Sequence, residues 1–337
     1  MLAVLVSTAL FSQKIVVLHS PVNGVQYFND DNPLQSAYAA AEVAGDTIYL
    51  PGGSMQPPVR FAKSLVIYGA GHYPSAATAT VKTIISGNFY LSDEADNFHL
   101  EGVRISGNLY FDTNEAIENV TIKRCSLNNI TIYGNRTNPA VNNTFVENII
   151  NGGCWIENLT NSMFFNNIIQ GGINQARNLT FLNNLFLYSV PGDDRYQVFG
   201  YANNCMIKNN VFLQENNNIS EGNGASTWSH NIFCTSSTTP GLGLDPILIS
   251  NYFMDRADVL VNQTGTTFDY THDYHLQAGA LANLGDDGLQ VGVYGGFYPW
   301  KDLSIPVNPH ISSKNISATS DANGMIQVNI NVHAQDR

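Results

Sequence analysis

The chain has 337 residues and a formal net charge of −12, yet only 12% of its residues are charged, about half the usual share of roughly 25%. Its 15 Lys and Arg form no cluster, so the basic stripe with which nucleic-acid binders displace counterions from phosphates is missing, and nucleic acid is excluded as a partner. An acidic surface also repels polyuronates unless a metal ion or a local basic pocket intervenes, whereas neutral glycans meet no such barrier.

Residues 1–12, MLAVLVSTALFS, are apolar with small residues near their end, and the polar Gln13-Lys14 follow. This has the form of the hydrophobic stretch and cleavage site of a secretory signal peptide, too short to span a bilayer, although the basic leading segment is missing. The alternative is an N-terminal core strand. Export would make the protein secreted, periplasmic or cell-surface. No later stretch is long and apolar enough for a transmembrane helix.

Asn32-Pro33 predicts a short helix over LQSAYAAAEVA, with Asn as N-cap and Pro at the first helical position. Such an Ala-rich helix suits the capping of a terminal repeat. GDTIYLPGG (Gly45–Gly53) then reads as turn, strand and turn, and SLVIYGAGH (Ser64–His72) as a strand stacked above it.

From there a nine-residue pattern, Asn-x-x-apolar-x-x-Asn-x-apolar, recurs. Full or near copies are NVTIKRCSL from Asn119, NNTFVENII from Asn142, NSMFFNNII from Asn161, NLTFLNNLF from Asn178 and NCMIKNNVF from Asn204. NFHLEGVRI from Asn97 and ASTWSHNIF from Ala225 are partial copies. Successive starts lie 22, 23, 19, 17, 26 and 21 residues apart. Units this short, with alternating β-branched and aromatic residues, exclude an α-helical solenoid. They fit a coil of three short strands per turn, which also explains how one domain can exceed the ordinary length. The second Asn of the repeat recurs as Asn148, Asn167, Asn184, Asn210 and Asn231. At a turn Asn tolerates left-handed backbone. Stacked at the strand spacing of roughly 4.8 Å, each amide would hydrogen-bond the next as a buried ladder.

The four cysteines, Cys125, Cys154, Cys205 and Cys234, have no CxxC spacing and read as small buried apolar residues. A disulfide between neighbouring rungs stays open in an oxidising compartment. Beyond the last rung, alternating apolar residues flank SDANG (Ser320–Gly324), which predicts a β-hairpin within Asn315–Val332. The domain layout is therefore a signal peptide (1–12), a coil (13–300) and a C-terminal extension (301–337) packing on or capping the coil.

Three segments resemble motifs of secreted β-helix proteins of the pectin-lyase-like superfamily. GDTIYLPGG is similar to that family's GDTI-x-L-P-x-G, and SLVIYGAG to its S-L-T-I-x-G-x-G. The segment Tyr274–Gly296 is similar to YHL-x-x-G-SPA-x-x-x-G-x-DG-x-D-x-G-x-YGG, with Ala280-Leu281 in place of Ser-Pro and Gln290 in place of the second Asp. The resemblance spans roughly Gly45 to Pro299. It implies an all-β, single-stranded right-handed parallel β-helix, here with an N-terminal capping helix and a C-terminal hairpin extension. It does not imply one activity, because the family holds lyases, hydrolases, epimerases and members without known reaction.

Family lyases hold Ca²⁺ with carboxylates and use Arg or Lys as base, and family hydrolases use clustered Asp. The segment that gathers such groups is PGDDRYQ, in the longest interval between repeats. Asp193, Asp194 and Arg195 are the candidate catalytic residues, with Asp193 and Asp194 as ligands of a Ca²⁺ ion, and Tyr196 beside them for substrate. The plain alternative is a solvated turn. His272 and His275 flank Asp273 in a pattern open to a metal or to a packed strand. Tyr110, Ile132 and Trp155 each lie thirteen positions after a repeat start. Facing outward, they would offer a platform to a sugar ring, and Tyr110 and Trp155 are the candidate substrate-binding residues; facing inward, the commoner case for such stacks, they would be core. The functional expectation is an extracellular or cell-surface β-helix that binds a polysaccharide or surface glycan, with lyase or hydrolase chemistry left open. The alternative is a noncatalytic adhesion or structural coil.

Overall fold

The computed structural model describes residues 14–73, 80–187, 197–215, 217–222, 224–235, 237–279 and 281–334. The segment 1–12 lies outside them. The chain winds into a parallel β-solenoid of about 9 turns, with three faces. The first face is a twelve-stranded sheet, the second a ten-stranded sheet, and the third begins as a five-stranded sheet. Strands stack in register on the equivalent strand one turn away, as in Thr144–Val146 on Thr121–Lys123 and Met163–Phe165 on Thr144–Val146. Alternation along each strand sends one side chain inward and the next outward. Inward columns such as Phe145, Phe164 and Phe181 stack at 4.5 and 5.1 Å between ring centroids, and Phe186, Phe212 and Phe233 at 4.6 and 5.0 Å.

Both asparagines of the repeat have a physical role. The first, Asn97, Asn119, Asn142, Asn161, Asn178 and Asn204, turns the corner into the first sheet with φ between 45° and 60°, a region Asn enters more readily than most residues. The second forms the expected ladder. Asn148 Nδ2 donates to Asn167 Oδ1, Asn167 to Asn184, Asn184 to Asn210 and Asn210 to Asn231, at 3.0–3.1 Å. Asn251 adds a sixth member through Asn231 Nδ2 at 3.0 Å. The expectation that this second Asn takes the left-handed turn is corrected. That conformation falls one residue earlier, on Glu147, Asn166, Asn183, Asn209, His230 and Ser250, which leaves the ladder amide free to point into the corner.

At the N-terminal end, Val16–Ser20 and Gly24–Phe28 add antiparallel strands to the edge of the first sheet. The helix covers the core there with Pro33, Leu34 and Ala37 buried. It is shorter than the sequence pattern predicts, ending at Ala40. The buried Asp46 carboxylate accepts the N–H groups of Glu42 and Val43 and so draws them out of the helix. Asn32 makes no side-chain cap bond.

After the last rung the chain folds back along the coil. Ile149, Ile168, Leu185, Val211 and Ile232 point outward from the second sheet and are buried by Val259, Leu260, Tyr274, Val291, Val293 and Trp300. The return segment also uses the left-handed corner column as its track. Asn166 Nδ2 donates to Val293 O and Gly295 O, Asn183 Nδ2 to Gly292 O, and Arg124 to Ile305 O. The hairpin is present, as His310–Ile316 paired with Val328–His333. Its strand Val328–His333 is exposed throughout. Among the described residues it does not cover the end of the coil, where Leu248 is 59% exposed although Trp228, one rung inward in the same column, is fully buried. The side of the coil, rather than its end, is what the C-terminal region protects.

Candidate functional site

The third face carries an outward column. Its five strands, Phe89–Leu91, Leu109–Phe111, Ile130–Ile132, Cys154–Trp155 and Ile173–Asn174, place Tyr90, Tyr110, Thr131, Trp155 and Asn174 in line. Tyr90 and Tyr110 stack face to face, 4.8 Å apart and 11° from parallel. Trp155 lies two rungs beyond Tyr110 and is 40% exposed. The inward role favoured for Tyr110 and Trp155 on frequency alone is therefore corrected. Ile132 does not belong with them: it pairs with Phe111 and is buried, so the equivalent of Tyr110 in that rung is Thr131. The equal thirteen-residue offset fails because the rung from Asn119 reaches its third strand one residue earlier than those from Asn97 and Asn142.

A second amide ladder flanks this column. The Asn108 N–H donates to Asn88 Oδ1 at 3.0 Å, Asn129 Nδ2 to Asn108 Oδ1 at 2.9 Å, and the Gly153 N–H to Asn129 Oδ1 at 2.8 Å. Asn88 and Asn108 each donate to the hydroxyl of the tyrosine two residues on, at 3.1 and 3.0 Å. These bonds hold both phenol rings in a fixed orientation, so a ligand meets a surface already ordered. The sequence does carry a signal for this face: GNFY, GNLY, NNIT, GGCW and GGIN begin at positions 87, 107, 128, 152 and 171. At Gly152 a glycine is required, since a Cβ there would sit 2.1 Å from Asn129 Oδ1.

Asp193, Asp194, Arg195 and Tyr196 lie outside the described residues. The described residues end at Leu187 and resume at Gln197. Phe199 then bridges Ile173, so the chain returns to the same third face one rung beyond Asn174. Charged groups that sequence reasoning did not single out occur on this side. Arg136 donates to Gln175 Oε1 at 2.8 Å and pairs with Glu157 at 3.6 Å, and Gln197 donates to Glu221 at 2.6 Å.

Elsewhere the charges hold structure. The fully buried Arg124 grips Glu147 through two bonds, at 2.8 and 3.3 Å, and Glu101 at 3.3 Å. Burial would push the Glu101 carboxyl up, but bonds from His99 and the Val307 N–H, with Arg124 and Lys123 beside it, bring it below its usual range. The His275 ring stacks on Tyr294 at 3.7 Å and bonds Asp273 at 2.7 Å. Among the described residues no group of three or more His, Cys, Asp or Glu is placed to hold a metal ion. All four cysteines are buried free thiols, and burial pushes Cys125 and Cys234 up to about 12.

No family model matches the chain, and no curated protein and no solved structure matches it.

Proposed function

We propose that this protein is an exported or cell-surface β-helix of the pectin-lyase-like kind that binds a polysaccharide along its third face. The observation that carries the reading is the stacked Tyr90–Tyr110 pair aligned with the exposed Trp155. Successive rungs repeat at the strand spacing, about 4.8 Å, close to the length of a sugar unit, so a chain laid along the coil axis meets equivalent positions in turn. Aromatic faces take the CH face of the sugar, and the flanking amides supply hydrogen bonds to its hydroxyls. The net charge of −12 favours a neutral glycan over a polyuronate. Where cleavage accompanies binding, we assign it to Asp193, Asp194 and Arg195, because Phe199, four residues later in the sequence, lies beside this column.

A second reading, a noncatalytic adhesion or structural coil, draws on the buried Glu101–Arg124–Glu147 cluster, whose charges are spent on packing. One experiment separates the two. The protein is incubated with a glycan panel with and without chelator, following ultraviolet absorbance for unsaturated uronate and reducing ends for hydrolysis. Turnover lost in Asp194→Ala and Arg195→Ala supports the enzyme and its site. Binding without turnover supports the noncatalytic coil, and absence of binding removes the glycan reading.

A further inference from the structure

A cavity of about 420 Å³ lies on a different face of the coil, where the returning C-terminal segment crosses the first sheet. One wall is Phe165 and Leu182, which point outward from consecutive strands of that sheet. Phe297 and Tyr298 of the returning segment also line the cavity. The Tyr298 ring stands 5.2 Å from that of Phe165 at 34°, and Phe297 is 98% exposed. A phenylalanine held almost entirely in water has no packing role in this chain, and an exposed aromatic at the rim of a cavity is a feature of ligand sites.

The floor is polar. Lys208 forms an ion pair with Asp286, which also accepts Asn209 Nδ2 at 2.9 Å. Asp287 follows, its Oδ1 fixed by the Leu289 N–H at 2.9 Å. The segment carrying Asp286, Asp287, Phe297 and Tyr298 is fastened to the coil on both sides of the cavity, through Asn209 and through the bonds from Asn166 to Val293 O and Gly295 O. The backbone of this segment and the Tyr298 ring against Phe165 are therefore preformed, which lowers the ordering cost of binding.

We propose that this cavity binds a single neutral sugar unit, independently of the aromatic column. The rings take the apolar face of the pyranose. The carboxylates of Asp286 and Asp287 accept from its hydroxyls, and the Lys208 ammonium donates to them. Two carboxylates against one ammonium disfavour a uronate. The volume falls near the lower end of the range of about 300–1,000 Å³ for small-ligand pockets, which suits one or two rings rather than a chain. The ligand class rests on the glycan reading above; the site itself does not.

The test uses methyl glycosides of glucose, galactose, mannose and xylose as probes, read by saturation-transfer NMR and calorimetric titration on the full chain. Wild type should show saturation of at least one glycoside. Tyr298→Ala and Asp287→Asn should each weaken it by about tenfold or more, while Trp155→Ala leaves it unchanged. Both Phe297 and Tyr298 are exposed enough that truncation spares the fold, and an unchanged thermal midpoint checks this. Absence of saturation in wild type, or equal saturation in Tyr298→Ala and Asp287→Asn, overturns the proposal. Loss of longer oligosaccharides in Trp155→Ala with glycoside binding intact supports both sites. Loss of pocket binding alone in the Tyr298 variant, with Trp155→Ala silent on every probe, keeps the pocket and removes the column.

Discussion

The side-chain carbonyl of Asn184 accepts two hydrogen bonds from Asn167, one from its backbone N–H and one from its amide, both at 3.0 Å. The Asn184 amide in turn donates to Phe164 O at 2.8 Å. With its bond to Asn210 Oδ1 at 3.0 Å, one side chain thus satisfies four polar groups in a buried corner. Asn184→Ala leaves the Asn167 N–H and Phe164 O without those partners, each at a cost of about 1–3 kcal/mol. The variant should lose at least about 2 kcal/mol in chemical denaturation. A loss near zero would mean the corner admits water or relaxes freely. The same change at Asn128, half-buried at the corner before the third face, should cost far less.

Arg124 and Glu147 are neighbours on the left-handed corner column, with φ of 49° and 54°. Their side chains meet in the interior against Glu101. Removing the guanidinium by Arg124→Met leaves two buried carboxylates facing each other, a change of about 3–5 kcal/mol. It also frees Ile305 O from its donor, so limited proteolysis should cut the 301–309 stretch faster in the variant than in wild type. Unchanged cleavage would separate the charge cluster from the fastening of the C-terminal segment.

Stability should fall in acid through a particular pair of groups. Burial above all, with Lys82 and Arg104 nearby, lowers His72 from 6.5 to about 3. Its folded pKa lies below the unfolded one, so its contribution is complete above pH 6.5 and is lost as pH falls from 6.5 toward 3. Glu101, also held below its usual 4.5, adds a second loss below that pH. His72→Phe should flatten the stability curve between pH 6.5 and 4.5 and keep the steeper fall beneath it. Parallel curves for the two proteins would show that His72 is not the group titrating.

The coil was legible because its period is enforced rung by rung. An Asn ladder works only in register, so Asn148, Asn167, Asn184, Asn210 and Asn231 had to recur at one position. The ladder's sixth member, Asn251, was hidden because its rung, SNYF from Ser250, has no matching first Asn. The third strand was read less well. Turns before it vary in length, so the offset of thirteen matched Tyr110 with Ile132, one residue out, and one residue reverses the face. The pocket was not legible at all. Phe165 and Tyr298 are far apart in sequence, and only the return of the chain along the coil brings them together.

Trp155 offers a direct optical test of the column. The chain has three tryptophans; Trp228 is fully buried, Trp300 is 4% exposed and Trp155 is 40% exposed. Acrylamide quenching should therefore report almost wholly on Trp155. A glycan laid along Tyr90, Tyr110 and Trp155 would shield the indole, lowering the quenching constant in proportion to occupancy. Trp155→Ala should remove the quenchable fraction and weaken oligosaccharide binding by about tenfold, the size of one interfacial aromatic anchor. Trp155→Phe should restore part of the affinity without the fluorescence, since a phenyl ring keeps a stacking face. Binding that leaves Trp155 as accessible as before would place the ligand elsewhere on the coil.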